Sequence, residues 1–153
     1  MKRVVITINR QYGSGGKTIG YMLAEKLGIP CYSREILQRA SEESGINESM
    51  FNERDERLKR LPKFLLSTNV YSGELLPPES KEFTSDQNLF NYEAEIIKKY
   101  AAEGSCVLIG RCADFVLKDD PDMISVYVHA DHDFQMKSAL ERVSMSEKEM
   151  EKY

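Results

Sequence analysis

Hydrophobic residues form three short continuous runs, separated by stretches in which they recur periodically. The continuous runs are Val4–Ile8, Cys106–Gly110 and Ile124–Val128. A run of this length is typical of a strand that is buried on both faces of a sheet. Together with a very short strand at Cys31–Tyr32, the runs predict a parallel sheet with right-handed crossovers.

The periodic stretches between these strands predict helices, and glycine or proline ends most of them. In the first helix the apolar positions are Ile19, Met22, Leu23 and Leu27. We expect Ser33 and Asn47 to cap the next two helices, and Thr84 or Ser85 to cap the one after them. The predicted helices cover Thr18–Leu27, Arg34–Glu43, Asn47 to about Leu61, Thr84 or Ser85 to Ala101, a stretch from Asp131 with Met136, Ala139, Leu140 and Val143 on one face, and a final short helix from Ser146.

Strands that alternate with helices predict an α/β fold with a parallel sheet flanked by helices. The chain has 153 residues, of which 41% are hydrophobic, and this suits one buried core. We therefore expect a single domain over residues 1–153. Lys63–Phe83 shows no sustained period, so a helical and flexible insertion is predicted around residues 33–83.

Charge and composition exclude several classes of function. The net charge of −4, with 30% charged residues, gives no general footprint for nucleic acid. No apolar run is long enough to cross a bilayer, and the N-terminus enters a strand without a signal peptide. We therefore expect a cytoplasmic protein without a membrane partner. Its three cysteines (Cys31, Cys106 and Cys112) lack metal-site spacing and are expected to be reduced thiols.

The segment Asn9–Thr18, directly after the first strand, predicts a phosphate-binding loop. Three glycines in four positions let backbone N–H groups turn toward a polyphosphate, and the following helix adds its positive N-terminal end. Lys17 supplies a mobile charge for the outer phosphates, and Thr18 a hydroxyl for Mg²⁺. The predicted binding positions are Gly13, Ser14, Gly15, Gly16, Lys17 and Thr18. Gln11 replaces the first glycine of the common pattern, and the alternative is a glycine-rich turn with an ordinary exposed lysine.

A second motif follows another predicted strand. Arg111 comes directly after Cys106–Gly110 and is expected at the same sheet edge as the phosphate loop. Its guanidinium would hold an acceptor phosphate, whereas the alternative is a surface arginine at a strand end. Asp114 is a candidate for organising Mg²⁺ through water or for acceptor contact, or else a simple charge at a helix start. Arg34, at the start of a helix, is a second acceptor candidate or a solvated arginine.

At these motifs the chain resembles the cytidylate kinase-like family of P-loop proteins. The similar segments are Ile6–Gly16, Leu23–Pro30, Gly110–Asp114 and His129-Ala130. Gln11 agrees with the family pattern. The resemblance covers essentially the whole length and implies a three-layer α/β fold of the P-loop NTPase type. It also implies ATP with Mg²⁺ as the donor and a nucleoside monophosphate, nominally CMP, as the acceptor, with Lys17 and Arg111 as catalytic residues. The insertion around residues 33–83 would then bind the acceptor.

The chain also departs from that family. Ser33 stands where the family commonly has aspartate, and Gln135 and Ser138 stand where it tends to place arginines a turn apart. Lys137 and Arg142 are possible substitutes, or else members of a solvated helix face. Relatives usually continue through further helix and a final strand, so we expect either a piece of a longer protein or a shortened relative with impaired catalysis.

Three functions therefore remain. The favoured one is an ATP-dependent nucleoside monophosphate kinase, with a nucleotide donor and a small phosphorylated acceptor as its partners. A second is a P-loop kinase for another small metabolite. The third is a nucleotide-binding interaction protein without catalysis. The sequence leaves base preference and oligomeric state open.

Overall fold

The computed structural model describes residues 2–60 and 73–141, with the side chains of residues 58–60 left aside. Helices and strands alternate along this part of the chain. In order, they are β1 (Val5–Arg10), α1 (Gly16–Leu27), β2 (Cys31–Tyr32), α2 (Glu35–Ser44), α3 (Glu48–Arg60), α4 (Asp86–Glu103), β3 (Cys106–Ile109), α5 (Ala113–Val116), β4 (Met123–Val128) and α6 (His132–Leu140).

The four strands form one parallel sheet in the order β2-β3-β1-β4. Ile8 of β1 pairs with Ile109 of β3, and Arg10 pairs with Val128 of β4. Because the strands are parallel, the carboxyl ends of β1, β3 and β4 lie at the same edge of the sheet. The predicted α/β class, with a parallel sheet and helices, is confirmed.

The chain divides into two compact units. The first comprises Met1–Tyr32 and Glu103–Tyr153, and the second comprises Ser33–Ala102. The first unit holds the sheet together with α1, α5 and α6, whereas the second holds α2, α3 and nearly all of α4. The phosphate loop and the motif after β3 therefore belong to the same unit.

Helix α1 packs on the sheet through small residues. Its buried positions are Gly16, Gly20 and Ala24, and Ala24 joins a core cluster with residues of β1 and β3. A Cβ added at Gly20 would lie only 2.7 Å from Cδ1 of Ile109, so glycine lets the helix approach the strand closely. The larger apolar residues that indicated the helix are mostly exposed: Ile19 by 45%, Met22 by 63% and Leu27 by 43%.

The second unit buries an ion pair between α3 and α4. Arg54 Nη1 lies 3.3 Å from Glu93 Oε1, with the side chains 7% and 0% exposed. The guanidinium also lies over the ring of Phe90, with Cζ 5.7 Å from the ring centroid. A charge buried to this degree is costly without its partner, so the pair ties the two helices together.

Helix caps agree with the sequence at two of three positions. The Asn47 side chain accepts a hydrogen bond from the Ser49 N–H at 2.9 Å, and Ser85 Oγ accepts one from the Asn88 N–H at 3.2 Å. The prediction that Ser33 caps the second helix is wrong. Arg34 is the N-cap of α2, and the Ser33 N–H instead donates to Glu35 Oε2 at 2.8 Å.

Strand β1 continues to Arg10, two residues beyond the predicted end, because its last residues still pair with β4. The short helix α5 was not predicted as a separate element. The predicted helix from Ser146, the position Val143 and residues 61–72 of the predicted insertion lie outside the described residues. In the part that is described, no helix is both long and apolar enough to cross a bilayer.

Candidate nucleotide-binding site

The loop between β1 and α1 is fixed by two left-handed glycines and by its own hydrogen bonds. Gly13 has φ 75° and Gly15 has φ 79°, a region that favours glycine. Ser14 is 5% exposed, and its Oγ donates to the Gln11 carbonyl oxygen at 2.8 Å. The Ser14 N–H donates to the same oxygen at 3.3 Å. The chain therefore turns sharply before α1 begins.

The start of α6 packs against this loop. A Cβ added at Gly13 would lie 2.5 Å from the backbone oxygen of Gln135. The Gln135 side chain donates from Nε2 to Gln11 Oε1 at 2.9 Å and to the Ala130 carbonyl oxygen at 2.5 Å. The resemblance suggests an arginine at position 135. The glutamine that stands there instead holds the phosphate loop in place.

The N-terminus of α1 is suited to bind an anion. The helix begins at Gly16, two residues before the predicted start, because Gly15 serves as its N-cap. Gly15 offers no side-chain cap, and the first turn carries no acidic residue. The first N–H groups of a helix have no acceptor within the helix, and the helix dipole adds partial positive charge there. A polyphosphate fits this arrangement of donors.

Lys17 and Thr18 lie in the first turn of α1, and both are exposed. Lys17 Nζ is 5.8 Å from the centroid of the Tyr21 ring, one turn along the same helix. An exposed contact of this kind contributes about 0.5–1 kcal/mol, less than the roughly 1.5–3 kcal/mol of a hydrogen bond to a charged group. Lys17 therefore remains available to a phosphate.

Thr18 is the candidate ligand for a divalent cation. Within residues 2–60 and 73–141, no group of three or more histidine, cysteine or acidic side chains forms a metal site. Mg²⁺ at a nucleotide site takes most of its ligands from phosphates and water and few from the protein. A single threonine hydroxyl beside a phosphate loop fits that mode of binding.

The turn after β3 has an unusual backbone. Gly110, Arg111 and Cys112 have φ values of 73°, 58° and 52° in succession. Left-handed conformations at residues other than glycine are strained and are often found at functional sites. The Gly110 N–H donates to the Ile8 carbonyl oxygen at 3.0 Å, which fixes the turn beside the end of β1. Arg111 therefore lies at the sheet edge that carries the phosphate loop, as predicted.

Arg10, the last residue of β1, was not predicted as a site residue. Its side chain passes close to two glycines. A Cβ added at Gly16 would lie 2.5 Å from Arg10 Cβ, and one added at Gly110 would collide with Arg10 Nη1. Partial desolvation, and then the positive charge of Arg111, lower the pKa of Arg10. The Arg10 guanidinium thus lies at the turn that carries Arg111.

Two predicted residues remain. Asp114 is half-buried in the first turn of α5, in the same unit as Arg111. Arg34 belongs to the second unit, where its Nε lies 3.4 Å from Glu48 Oε1 and its side chain is 81% exposed. The structure therefore brings together the loop positions 13–18, Arg111 and Arg10 within one unit.

Comparison with known proteins covers the chain as a whole. The model of the cytidylate kinase-like family matches residues 5–153. A crystal structure of an uncharacterized protein from Eubacterium ventriosum is similar, with 28% sequence identity and a TM-score of 0.62. The match covers 96% of this chain and 66% of that protein, so the chain spans just under two thirds of its length. No curated protein matches. Nearly the whole chain fits the family model, and the protein therefore belongs to the cytidylate kinase-like family.

Proposed function

We propose that the protein transfers a phosphoryl group from ATP to a nucleoside monophosphate, nominally CMP. Membership of the family indicates a nucleotide kinase-like protein. The observation that carries the finer proposal is the pairing of β1 with β3, which sets the loop before α1 beside the turn at Arg111. A donor site and an acceptor site side by side are what phosphoryl transfer requires.

In this proposal the donor is bound by the loop and the first turn of α1. Bound ATP supplies the phosphoryl group, and its Mg²⁺ neutralises charge on the phosphate oxygens. The backbone from Gly13 to Gly16 surrounds the β-phosphate with N–H donors. Lys17 leaves the Tyr21 ring to neutralise the outer phosphates, and the hydroxyl of Thr18 is a ligand for the cation.

The acceptor phosphate is held by Arg111. Positioning and charge neutralisation account for most of the catalysis of phosphoryl transfer, so a guanidinium that fixes the acceptor is a catalytic residue. Arg34, in the second unit, is also proposed to bind a phosphate. Its exposed pairing with Glu48 contributes only about 0–1 kcal/mol, so it can exchange that partner for a phosphate. Asp114 is proposed to contact the acceptor.

Two other functions are compatible with the same residues. A P-loop kinase for another small metabolite would use an identical donor loop and Arg111. A nucleotide-binding protein without catalysis is favoured by one observation. Gln135, which lacks a charge, is hydrogen-bonded to Gln11 at a place where the resemblance leads us to expect an arginine. Such an arginine would neutralise charge in the transition state.

Equilibrium binding of Mg-ATP tests what all three functions share. We expect Lys17→Ala to weaken binding by about tenfold or more, as follows from losing a hydrogen bond to a charged group. The matched control is Lys26→Ala, which removes the same charge from the last turn of α1. If Lys17→Ala bound Mg-ATP with the affinity of the unmodified protein, all three proposals would fail together.

A further inference from the structure

The side chain of Arg10 connects the two halves of the candidate site. Its stem lies against Gly16 at the start of α1, and its guanidinium lies against Gly110 after β3. At both positions a Cβ would come within 2.5 Å of the arginine. The two glycines therefore leave room for the exposed Arg10 side chain, whose guanidinium lies at the turn that carries Arg111.

A second positive charge lies near this guanidinium. Desolvation, the largest cause, and then the charge of Arg111 lower the pKa of Arg10. Like charges repel each other, and an anion bound between two guanidinium groups would offset that repulsion. A phosphate dianion accepts forked hydrogen bonds from arginine and would remove this repulsion.

We propose that Arg10 and Arg111 together form a phosphate site, and that this site holds the phosphate of the acceptor. Because the Arg10 guanidinium reaches the turn after β3 while only its stem lies beside α1, the acceptor is favoured over the donor. The assignment of the phosphate to the acceptor rests on the function proposed above. The existence of a two-arginine phosphate site does not.

Equilibrium titration of the intact chain tests the proposal with three probes: orthophosphate, CMP, and the magnesium complex of a non-hydrolysable ATP analogue. For Arg10→Gln we expect orthophosphate and CMP to bind about tenfold more weakly or worse, as for a lost charge-assisted hydrogen bond. Affinity for the ATP analogue should stay within about twofold, because in this proposal Arg10 makes no contact with the donor. The matched control is Arg57→Gln, the same substitution at an exposed arginine paired with Asp86 in the second unit.

Arg10→Lys is the second variant. Lysine keeps the charge and most of the stem but lacks the planar fork, so we expect a smaller loss of phosphate affinity than for glutamine. Circular dichroism establishes that each variant is folded. If Arg10→Gln does not fold, Arg10→Lys is the test. Unchanged affinity of Arg10→Lys for orthophosphate and CMP overturns the proposal.

The three probes distinguish the results that would overturn the proposal. The proposal is overturned if Arg10→Gln binds orthophosphate and CMP with unchanged affinity. It is also overturned if the unmodified protein binds neither orthophosphate nor CMP. A loss confined to the ATP analogue assigns Arg10 to the donor and also overturns it. Loss of orthophosphate binding in a protein without kinase activity would retain the two-arginine site while refuting the proposed function, because these titrations require no turnover.

Discussion

The guanidinium of Arg10 lies directly against the backbone of Gly110. A Cβ at Gly110 would collide with Arg10 Nη1, and Gly110 also has φ 73°. Two separate demands, conformation and space, therefore select glycine at this position. The relationship links the end of β1 to the turn after β3, so a change in either residue is expected to alter the phosphate site that we infer.

Gly110→Ala should displace the Arg10 guanidinium without removing a charge. We expect orthophosphate affinity to fall by about tenfold, as for one lost charge-assisted hydrogen bond. Gly28→Ala is the matched control, because Gly28 is also left-handed, with φ 64°, but has open space at its Cβ position. Titration with orthophosphate measures the difference. Equal losses in the two variants would show that backbone strain alone, and not Arg10, is responsible.

Gly13→Ala should destabilise the protein more than Gly15→Ala. Both glycines are left-handed, so each substitution costs about 1 kcal/mol or somewhat more for conformation. At Gly13 the new Cβ would also lie 2.5 Å from the Gln135 backbone, whereas at Gly15 it meets nothing within 4 Å. We expect the free energy of unfolding in urea to fall by about 1–2 kcal/mol more in Gly13→Ala, a typical cost of overpacking. Equal destabilisation would contradict the packing of α6 on the loop.

The ion pair of Arg54 and Glu93 should be costly to break and inexpensive to replace. We expect Arg54→Met to lower the free energy of unfolding by about 3 kcal/mol or more, because it leaves the Glu93 carboxylate buried without this partner. The double variant Arg54→Met with Glu93→Leu should recover most of that loss. Urea unfolding of both variants is the measurement. If the double variant were no more stable than Arg54→Met, the ion pair would stabilise the protein beyond the neutralisation of two buried charges.

The cysteines should differ in reactivity. Cys106 is 1% exposed, and desolvation, the largest cause, raises the pKa of its thiol to about 11. A raised pKa leaves little thiolate at pH 8, and the thiolate fraction grows only as the pH approaches 11. We expect alkylation of exposed Cys112 to be at least about a hundredfold faster than that of Cys106, since access and ionisation both disfavour the latter. Peptide mass spectrometry after iodoacetamide treatment, with a urea-unfolded control, measures the two rates. Equal alkylation of Cys106 and Cys112 in the native protein would contradict the prediction.

The sequence predicted the sheet and the loop because both depend on short-range patterns. The three apolar runs become β1, β3 and β4, and Cys31–Tyr32 becomes β2. Spacing of glycines before Lys17 was sufficient to place the loop between a strand and a helix. Arg111 could be placed beside it because parallel strands end at one edge.

Other features depended on the tertiary structure. The face of α1 that packs on the sheet consists of glycine and alanine, and hydrophobicity alone points to its exposed apolar residues instead. Arg10 carried no signal of its own, since its role follows from its distance to two glycines. A polar residue that ends a buried strand directly before a glycine-rich loop was the available clue.

The central claim is phosphoryl transfer, and ADP release from Mg-ATP tests it most directly. The assay uses CMP, dCMP, UMP, AMP and GMP as acceptors, with Lys17→Ala as the inactive control and Lys26→Ala as the matched active one. The proposal predicts ADP release that depends on a nucleoside monophosphate, nominally CMP, and disappears in Lys17→Ala. No acceptor-dependent release with any of the five, from a protein that binds Mg-ATP, would contradict it and favour another acceptor or a non-catalytic role.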